Sequence, residues 1–366
     1  MYAVVNPYLC AAMSASKKRI AILGTGPISL LKASLAAAQV PQVEVVIFDK
    51  RNEIGGAWYS DKSPKGDEIE CGCHIWSYCP EVYRFIEREL GIPLLPYRPP
   101  ARFIGAIFKL PYSVKNTMDT YRALLRNICL LKWGRVGAMR RNPAVNFRIF
   151  GKRNLYPRTG SPELVRCLSD RLTQRDNVKF RTNCPVDKID VSTQLSVHTA
   201  EGIEHFDEVF LSSVTELKEI TSASGSLVIP SRRLDYVHLL MESNKPLKRK
   251  ISYWRLMTDP MIHRITDISY QTKHCENLYL VGIKPDAFIR RSEAELEKHC
   301  SDLFTRSGLT DESHTLKRIK THVFPTYYID EKVRENINQL HPKLRLLHST
   351  DLMHGFYYLL KEEGII

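Results

Sequence analysis

The chain has 366 residues, 43% of them hydrophobic and 25% charged, with a formal net charge of +13. That is long enough for a large core and two or three domains, and the balance is that of an ordinary folded protein, not a disordered one. All apolar runs fall short of the ~20 residues a membrane-spanning helix needs, and nine irregularly spaced cysteines argue for a reducing cytoplasm against a disulfide framework.

Residues 1–16 are weakly apolar and lack the basic start of a secretory signal, so they are expected to be disordered. Residues 20–23 form a short apolar run that reads as a buried strand, broken by Gly24-Thr25-Gly26-Pro27-Ile28-Ser29. Helix formers follow over 30–39, then a second apolar strand over 43–48 that stops on Asp49. This is the order of a dinucleotide-binding strand–helix–strand unit. Gly24 allows the tight turn and Gly26 lets a pyrophosphate approach the backbone, while the helix N-terminus offers free N–H groups and a positive dipole end. Asp49 stands where an acid accepts bonds from ribose hydroxyls. The third glycine of the motif is replaced by Ser29, small enough to be accommodated. A glycine turn without a ligand is the plain alternative.

The string Asp49-Lys50-Arg51-Asn52-Glu53-Ile54-Gly55-Gly56-Ala57-Trp58 resembles the acid-to-Gly-Gly motif of FAD-binding proteins in the flavin amine oxidase and protoporphyrinogen oxidase-like superfamily. The resemblance implies a glycine pair crossing close to the phosphates and ribitol; Lys50 and Arg51 are available to phosphate or adenosine-side charge, with a solvated turn as the plain alternative. It implies FAD as the cofactor and a discontinuous Rossmann-type FAD-binding domain, with a second α+β domain for substrate. Further along, Glu70-Cys71-Gly72-Cys73-His74-Ile75-Trp76 lies where the family's chain turns back under the flavin. Locally it resembles a loop of UDP-galactopyranose mutases, with Ser77 in place of a second histidine. His74 is therefore the leading flavin-adjacent candidate, able to hydrogen-bond or shuttle a proton; a histidine satisfied inside the loop is the plain alternative. Cys71, Cys73, His74 and Cys79 invite a zinc reading, but the Cys-x-Cys spacing is too tight for the usual knuckle and no second ligand pair follows. No metal site is expected.

The charge is concentrated. Between residues 90 and 162 there are fourteen Lys and Arg against one acid, Asp119, which gives +13, so the rest of the chain sums to zero. Such a segment suggests a small anionic substrate such as a nucleotide-sugar, an acidic glycan or a carboxylate, and a solvated basic face is the alternative. No nucleic-acid-binding module accompanies it. A proline-rich stretch over 93–111 reads as a domain crossing, and 117–133 as an amphipathic helix that packs on the substrate domain or touches a membrane surface.

Tyr156-Pro157-Arg158-Thr159-Gly160-Ser161 resembles the family segment that opens a helix beneath the flavin. Strands are expected over 178–182, at Val186 to Ile189, and over 206–212, matching the family's path around the nucleotide. Tyr253, Trp254, Arg255, His263 and Arg264 read as a strand pair facing the ligand, with Arg264 available to an anionic group. Residues 291–307 read as a helix, and Tyr327 and Tyr328 are aromatic candidates for the flavin wall. At the C-terminus a strand, an acid and a helix occupy the place of the family's last FAD contact, which implicates Asp351, Gly355 and Phe356, with Tyr357 and Tyr358 nearby.

These readings divide the chain into an FAD-binding domain (17–92, 155–214, 340–366) and a substrate domain (93–154, 215–339). They point to a cytoplasmic FAD-dependent oxidoreductase in which substrate delivers a hydride to flavin N5, using His74, Arg264 and Tyr328. A flavin-dependent sugar mutase with no net redox change is the second reading, and a non-catalytic flavoprotein the third.

Overall fold

A computed structural model describes residues 17–39, 43–58, 60–71, 76–97, 101–104, 122, 125–131, 133, 154–211, 217–229, 231–248, 253–256, 259–274, 276–329, 331–347 and 352–366. The expectations for residues 1–16, the proline-rich crossing beyond Ile104 and most of the basic helix fall outside these residues.

The apolar runs become a five-stranded parallel sheet. Its strands are β1 (Lys18–Leu23), β2 (Val43–Phe48), β8 (Val178–Arg181), β12 (Glu208–Leu211) and β20 (Leu344–Leu346), in the order β20-β12-β1-β2-β8. Parallel sheets are buried on both faces, and successive residues divide accordingly. Ile20, Ile22, Val45 and Ile47 enter a core with the helices, while Ala21, Leu23, Val46 and Phe48 enter a core on the other side. The helical side is built by α1 (Pro27–Ala38), α2 (Pro80–Arg88), α3 (Pro162–Thr173) and α7 (Leu352–Glu362).

The other side is covered by a second sheet in the order β11-β10-β9-β13-β14. It comprises β9 (Val186–Asp190), β10 (Ser196–Thr199), β11 (Gly202–His205), β13 (Glu219–Ser222) and β14 (Gly225–Val228). It thus draws strands from both sides of position 214. Ile337 of α6 (Glu331–Leu340) joins the same core as Ile189, Ile220 and Leu344.

The third sheet has six strands: β6 (Ala101–Ile104), β15 (Ser231–Ser243), β16 (Tyr253–Leu256), β17 (Ile262–Asp267), β18 (Leu278–Ile283) and β19 (Leu316–Ile329), ordered β19-β15-β18-β17-β16-β6. All its pairings are antiparallel except β16 with β6, and the expected strand pair over 253–264 is β16 against β17. Val237, Leu239, Met241, Val281 and Ile283 face α4 (Pro285–Arg290) and α5 (Glu293–Arg306), burying Leu296, Cys300 and Phe304. The expected helix over 291–307 is α5, fixed at its start by a capping box between Ser292 and Glu295.

On the opposite face, Leu240, Leu278 and Leu280 pack on Ile69. Ile69 lies in the hairpin of β3 (Ser60–Lys62) and β4 (Glu68–Glu70), which follows the Gly55-Gly56 loop and joins the nucleotide-binding side to the six-stranded sheet. Asp67 secures this hairpin by accepting the Lys273 N–H at 2.8 Å and facing His274 Nδ1 at 3.0 Å.

Candidate functional site: a glycine cradle and a polar sheet face

The Gly24–Ser29 turn sits at the C-terminal end of β1, where open α/β sheets bind nucleotides. Gly24 has φ +99° and its N–H donates to Phe48 O at 2.7 Å, a conformation that disfavours any other residue. Gly26 caps α1 and Pro27 occupies the first turn. Asp49 fastens the arrangement. Its Oδ2 accepts the Thr25 N–H at 2.9 Å and the Thr25 hydroxyl at 2.5 Å, and its Oδ1 accepts the Arg51 N–H at 2.9 Å. Thr25 Oγ1 in turn accepts the Gly55 N–H at 3.0 Å, and Arg51 Nη1 donates to Gly56 O at 2.9 Å. Thr25 therefore ties the two glycine loops to each other and Arg51 braces the second one; the role of Thr25 was missed in the sequence because it occupies a variable position of the motif.

The loops meet at their bare backbones. A Cβ on Gly56 would stand 3.7 Å from Gly26 Cα, whereas a Cβ on Gly26 would meet nothing within 4 Å. This leaves a cradle at a helix N-terminus, open where a pyrophosphate would lie and free of side-chain obstruction. Ser29 is fully buried, and its Oγ has no hydrogen-bond partner among the described residues. Gly24, Asp49, Lys50 and Val186 line one cleft with Leu23, Phe48, Cys184 and Pro185.

Ile28 is buried in the first turn of α1, and Trp58 packs against the helical core. Gly55 is buried beside Thr25, while the side chain of Ala57 lies outside the described residues. Gly355 is buried in α7, and Phe356 is wholly inside the helical core with Met353 and Leu360, a packing position. His74 and Asp351 lie outside the described residues.

Arg264 belongs to a second constellation. His238, Gly282 and Arg264 lie side by side across β15, β18 and β17. Arg264 reaches over the glycine and donates from Nη2 to His238 Nε2. A Cβ on Gly282 would come within 2.7 Å of Arg264 Cγ and of the His263 ring, so the crossing requires glycine there. With Nε2 accepting, His238 Nδ1–H donates to Cys71 O at 3.1 Å, which docks the turn after β4 onto the sheet. His322 lies opposite His238, and Phe324 stands against both rings at centroid distances of 6.1 and 5.5 Å. Tyr328 pairs with Arg232 further along β19, in step with His322 and Phe324; its side chain lies outside the described residues.

Between the cradle and this face sits a buried carboxylate. Glu70 Oε2 accepts the Tyr156 hydroxyl at 2.6 Å and the Ser161 N–H at 3.2 Å, and the Glu70 N–H donates to Gln271 Oε1 at 2.8 Å. Burial, reinforced by the Glu70 charge, pushes the Tyr156 hydroxyl well above its ordinary range, so it stays a donor. Gly160 has φ +90°, and a Cβ there would stand 2.9 Å from Glu70 Oε2. Gln271 came to this cluster without any local sequence signal.

Residues 22–88 match the family model of an NAD(P)-binding Rossmann-like domain. No curated protein matches the chain by sequence. Among the solved structures to which the whole chain is similar are three enzymes. The first is described as a protoporphyrinogen oxidase from Exiguobacterium sp. 255-15, with 14% identity and TM-score 0.62, covering 96% of this chain and 98% of that one. The second is cyclohexylamine oxidase from Brevibacterium oxydans, with 13% identity and TM-score 0.64 over 95% of this chain and 98% of that one. The third is a CLA-producing fatty acid isomerase from P. acnes, with 12% identity and TM-score 0.63 over 95% and 99%. The protein thus has a Rossmann-type α/β fold with a second, sheet-based region, and its architecture is the one found in amine and protoporphyrinogen oxidases.

Proposed function

We propose that the protein is a cytoplasmic FAD-dependent oxidoreductase acting on a small anionic substrate. The observation that carries the reading is the cradle, where a Cβ on Gly56 would already touch the Gly26 backbone while the space over Gly26 stays open among the described residues. A second glycine loop over the first suits FAD, as the string from Asp49 to Gly56 already suggested. In this reading Gly24, Gly26, Pro27, Ile28 and Ser29 hold the pyrophosphate end, and Lys50 and Val186 border the adenosine end. Asp49 keeps the two loops together, and Asp351 is the proposed contact for the ribitol or pyrophosphate.

Bound FAD supplies a hydride acceptor. The chain's own part is to hold the substrate, exclude water and manage a proton. Arg264, fixed by His238 across Gly282, is a cation for an anionic substrate group; His74 is the proposed proton shuttle, and Tyr328 the proposed aromatic wall. The +13 segment between 90 and 162 supports an anion. We also propose the domain division given above, with residues 217–228 and 333–339 packing on the nucleotide side.

An isomerase reading has its own support, because a fatty acid isomerase shares this fold. The deciding experiment is anaerobic incubation of purified protein with candidate anionic substrates while the flavin absorbance is followed. Bleaching by substrate alone supports the oxidoreductase; turnover only after chemical prereduction supports an isomerase. A colourless protein that FAD does not reconstitute overturns both.

A further inference from the structure

One buried cluster near the sheet face is not used by the reading above. Asp61 on β3, Cys71 just after β4 and His322 on β19 bring a carboxylate, a thiol and an imidazole together, with their ligand atoms all within 4.8 Å of one another. Cys71 is completely buried and His322 is 2% exposed, so neither is a solvated surface group. We propose that Asp61, Cys71 and His322 form a binding site for a zinc-class divalent cation.

The donor set is the first argument. Mixed oxygen, sulfur and nitrogen ligands suit a borderline-soft ion such as Zn²⁺ better than Mg²⁺ or Ca²⁺, which take oxygen. Three protein ligands leave one position of a tetrahedral ion for water or a substrate atom. Charge is the second. A divalent ion on one carboxylate and one thiolate is locally neutral, which suits a largely buried site. Burial favours the neutral imidazole of His322, which is the form that ligates, and it holds the Cys71 thiol protonated until a cation arrives. As the metal–sulfur bond forms, that thiol proton passes to solvent, so uptake releases one proton per ion.

Topology is the third. The ligands come from both ends of the β3–β4 hairpin and from the six-stranded sheet, so a bound ion would clamp the hairpin where His238 already holds Cys71 O. Lys320 competes for the site, since its Nζ contacts Asp61 Oδ2. Its side chain is 53% exposed and flexible, so it can withdraw, and the carboxylate has a second oxygen. Lys320 thus marks the alternative, in which an ion pair takes the place of a metal.

The sequence shows Cys71 among closely spaced thiols whose spacing is wrong for zinc. The true partners lie on another strand of the hairpin and far along the chain.

The test uses the full chain, stripped with a chelator and titrated first with Co²⁺, then with Zn²⁺. The expected result is one equivalent of cobalt with a near-ultraviolet sulfur-to-cobalt charge-transfer band, displaced by zinc. Cys71→Ser should remove the band and weaken uptake by roughly tenfold or more. Lys320→Gln should tighten uptake, because it removes the competing cation without touching a ligand, and this readout stands even where Cys71→Ser fails to fold. Wild-type protein that binds no cobalt, a band that survives Cys71→Ser, or a Lys320→Gln protein with unchanged uptake would each overturn the assignment.

Discussion

Gly26 and Gly282 each leave a space where a side chain would stand, and the two spaces have opposite fates. Over Gly26 no described residue enters within 4 Å; over Gly282 the Arg264 side chain and the His263 ring fill the gap to 2.7 Å. The first absence is kept open by neighbours that are themselves glycine, and it lies at a helix N-terminus. The second is occupied so that an arginine can cross a strand to a histidine. At a helix N-terminus beside a second glycine loop, the unfilled space suits a ligand, and the filled one serves internal positioning. Substitution at the two sites should therefore give different signatures.

Gly26→Val makes the sharpest test and should show the largest effect. Its backbone, at φ −63°, accepts an L side chain, and the cap change costs at most about 1 kcal/mol. The branched side chain would occupy the pyrophosphate position, so flavin content should fall at least tenfold while the apo protein keeps near-wild-type unfolding. Absorbance of the released cofactor and a denaturant melt check both halves. A variant that stays yellow would break the comparison.

Gly160→Ala should come next, now in stability. The residue is at φ +90° and its Cβ would press on Glu70 Oε2, so backbone strain adds to crowding of a buried carboxylate, about 2–4 kcal/mol together. The melt should shift even without flavin, since Glu70, Tyr156 and Ser161 are bonded to one another regardless of the cofactor. Gly282→Ala should be milder, about 1–3 kcal/mol, because its neighbours are a flexible arginine stem and a histidine ring. Flavin should remain bound. Loss of flavin from Gly282→Ala with an unchanged melt would reverse the contrast with Gly26.

The same contrast explains what could be read before the fold was known. The nucleotide end was legible because its signal is local: strand, glycine turn, helix, strand and acid follow one another within residues 18–49, and the first two parallel strands are largely apolar. The strands of the six-stranded sheet were legible only in part. The pair at Tyr253 and Arg264 was visible from composition, but its position beside His238 depends on β18 inserting between β15 and β17. No periodicity reports that order. Gln271 on Glu70 and His322 beside Cys71 were hidden for the same reason. Phe356, singled out by a resembling segment, is buried in the helical core, where hydrophobicity alone also places it.

The smallest predicted effect isolates the nucleotide sheet from its cradle. Glu44 lies near the start of β2, where Arg19 Nε donates to its Oε2 at 2.8 Å and Lys179 stands 2.6 Å from its Oε1. Because β1 and β2 run parallel, this ion ladder sits at the opposite end of the strands from Gly24 and Asp49. Lys179, opposed by burial and aided by Arg19, holds the Glu44 carboxyl below its ordinary 4.5. A depressed folded value stabilises the protein above the unfolded value, and that contribution is lost as pH falls through the folded one. Lys179 is 62% exposed, so solvent screens its share and the whole ladder contributes about 1 kcal/mol. Glu44→Gln should therefore melt slightly earlier than wild type at neutral pH and converge with it well below pH 4.5. Flavin content should not change, which makes this variant the mirror image of Gly26→Val. A melting difference that persists in acid would mean that the glutamine disturbs packing and that charge is not the cause. A loss of flavin would mean that the two ends of the sheet are coupled, and the cradle could no longer be treated as a feature of the glycine loops alone.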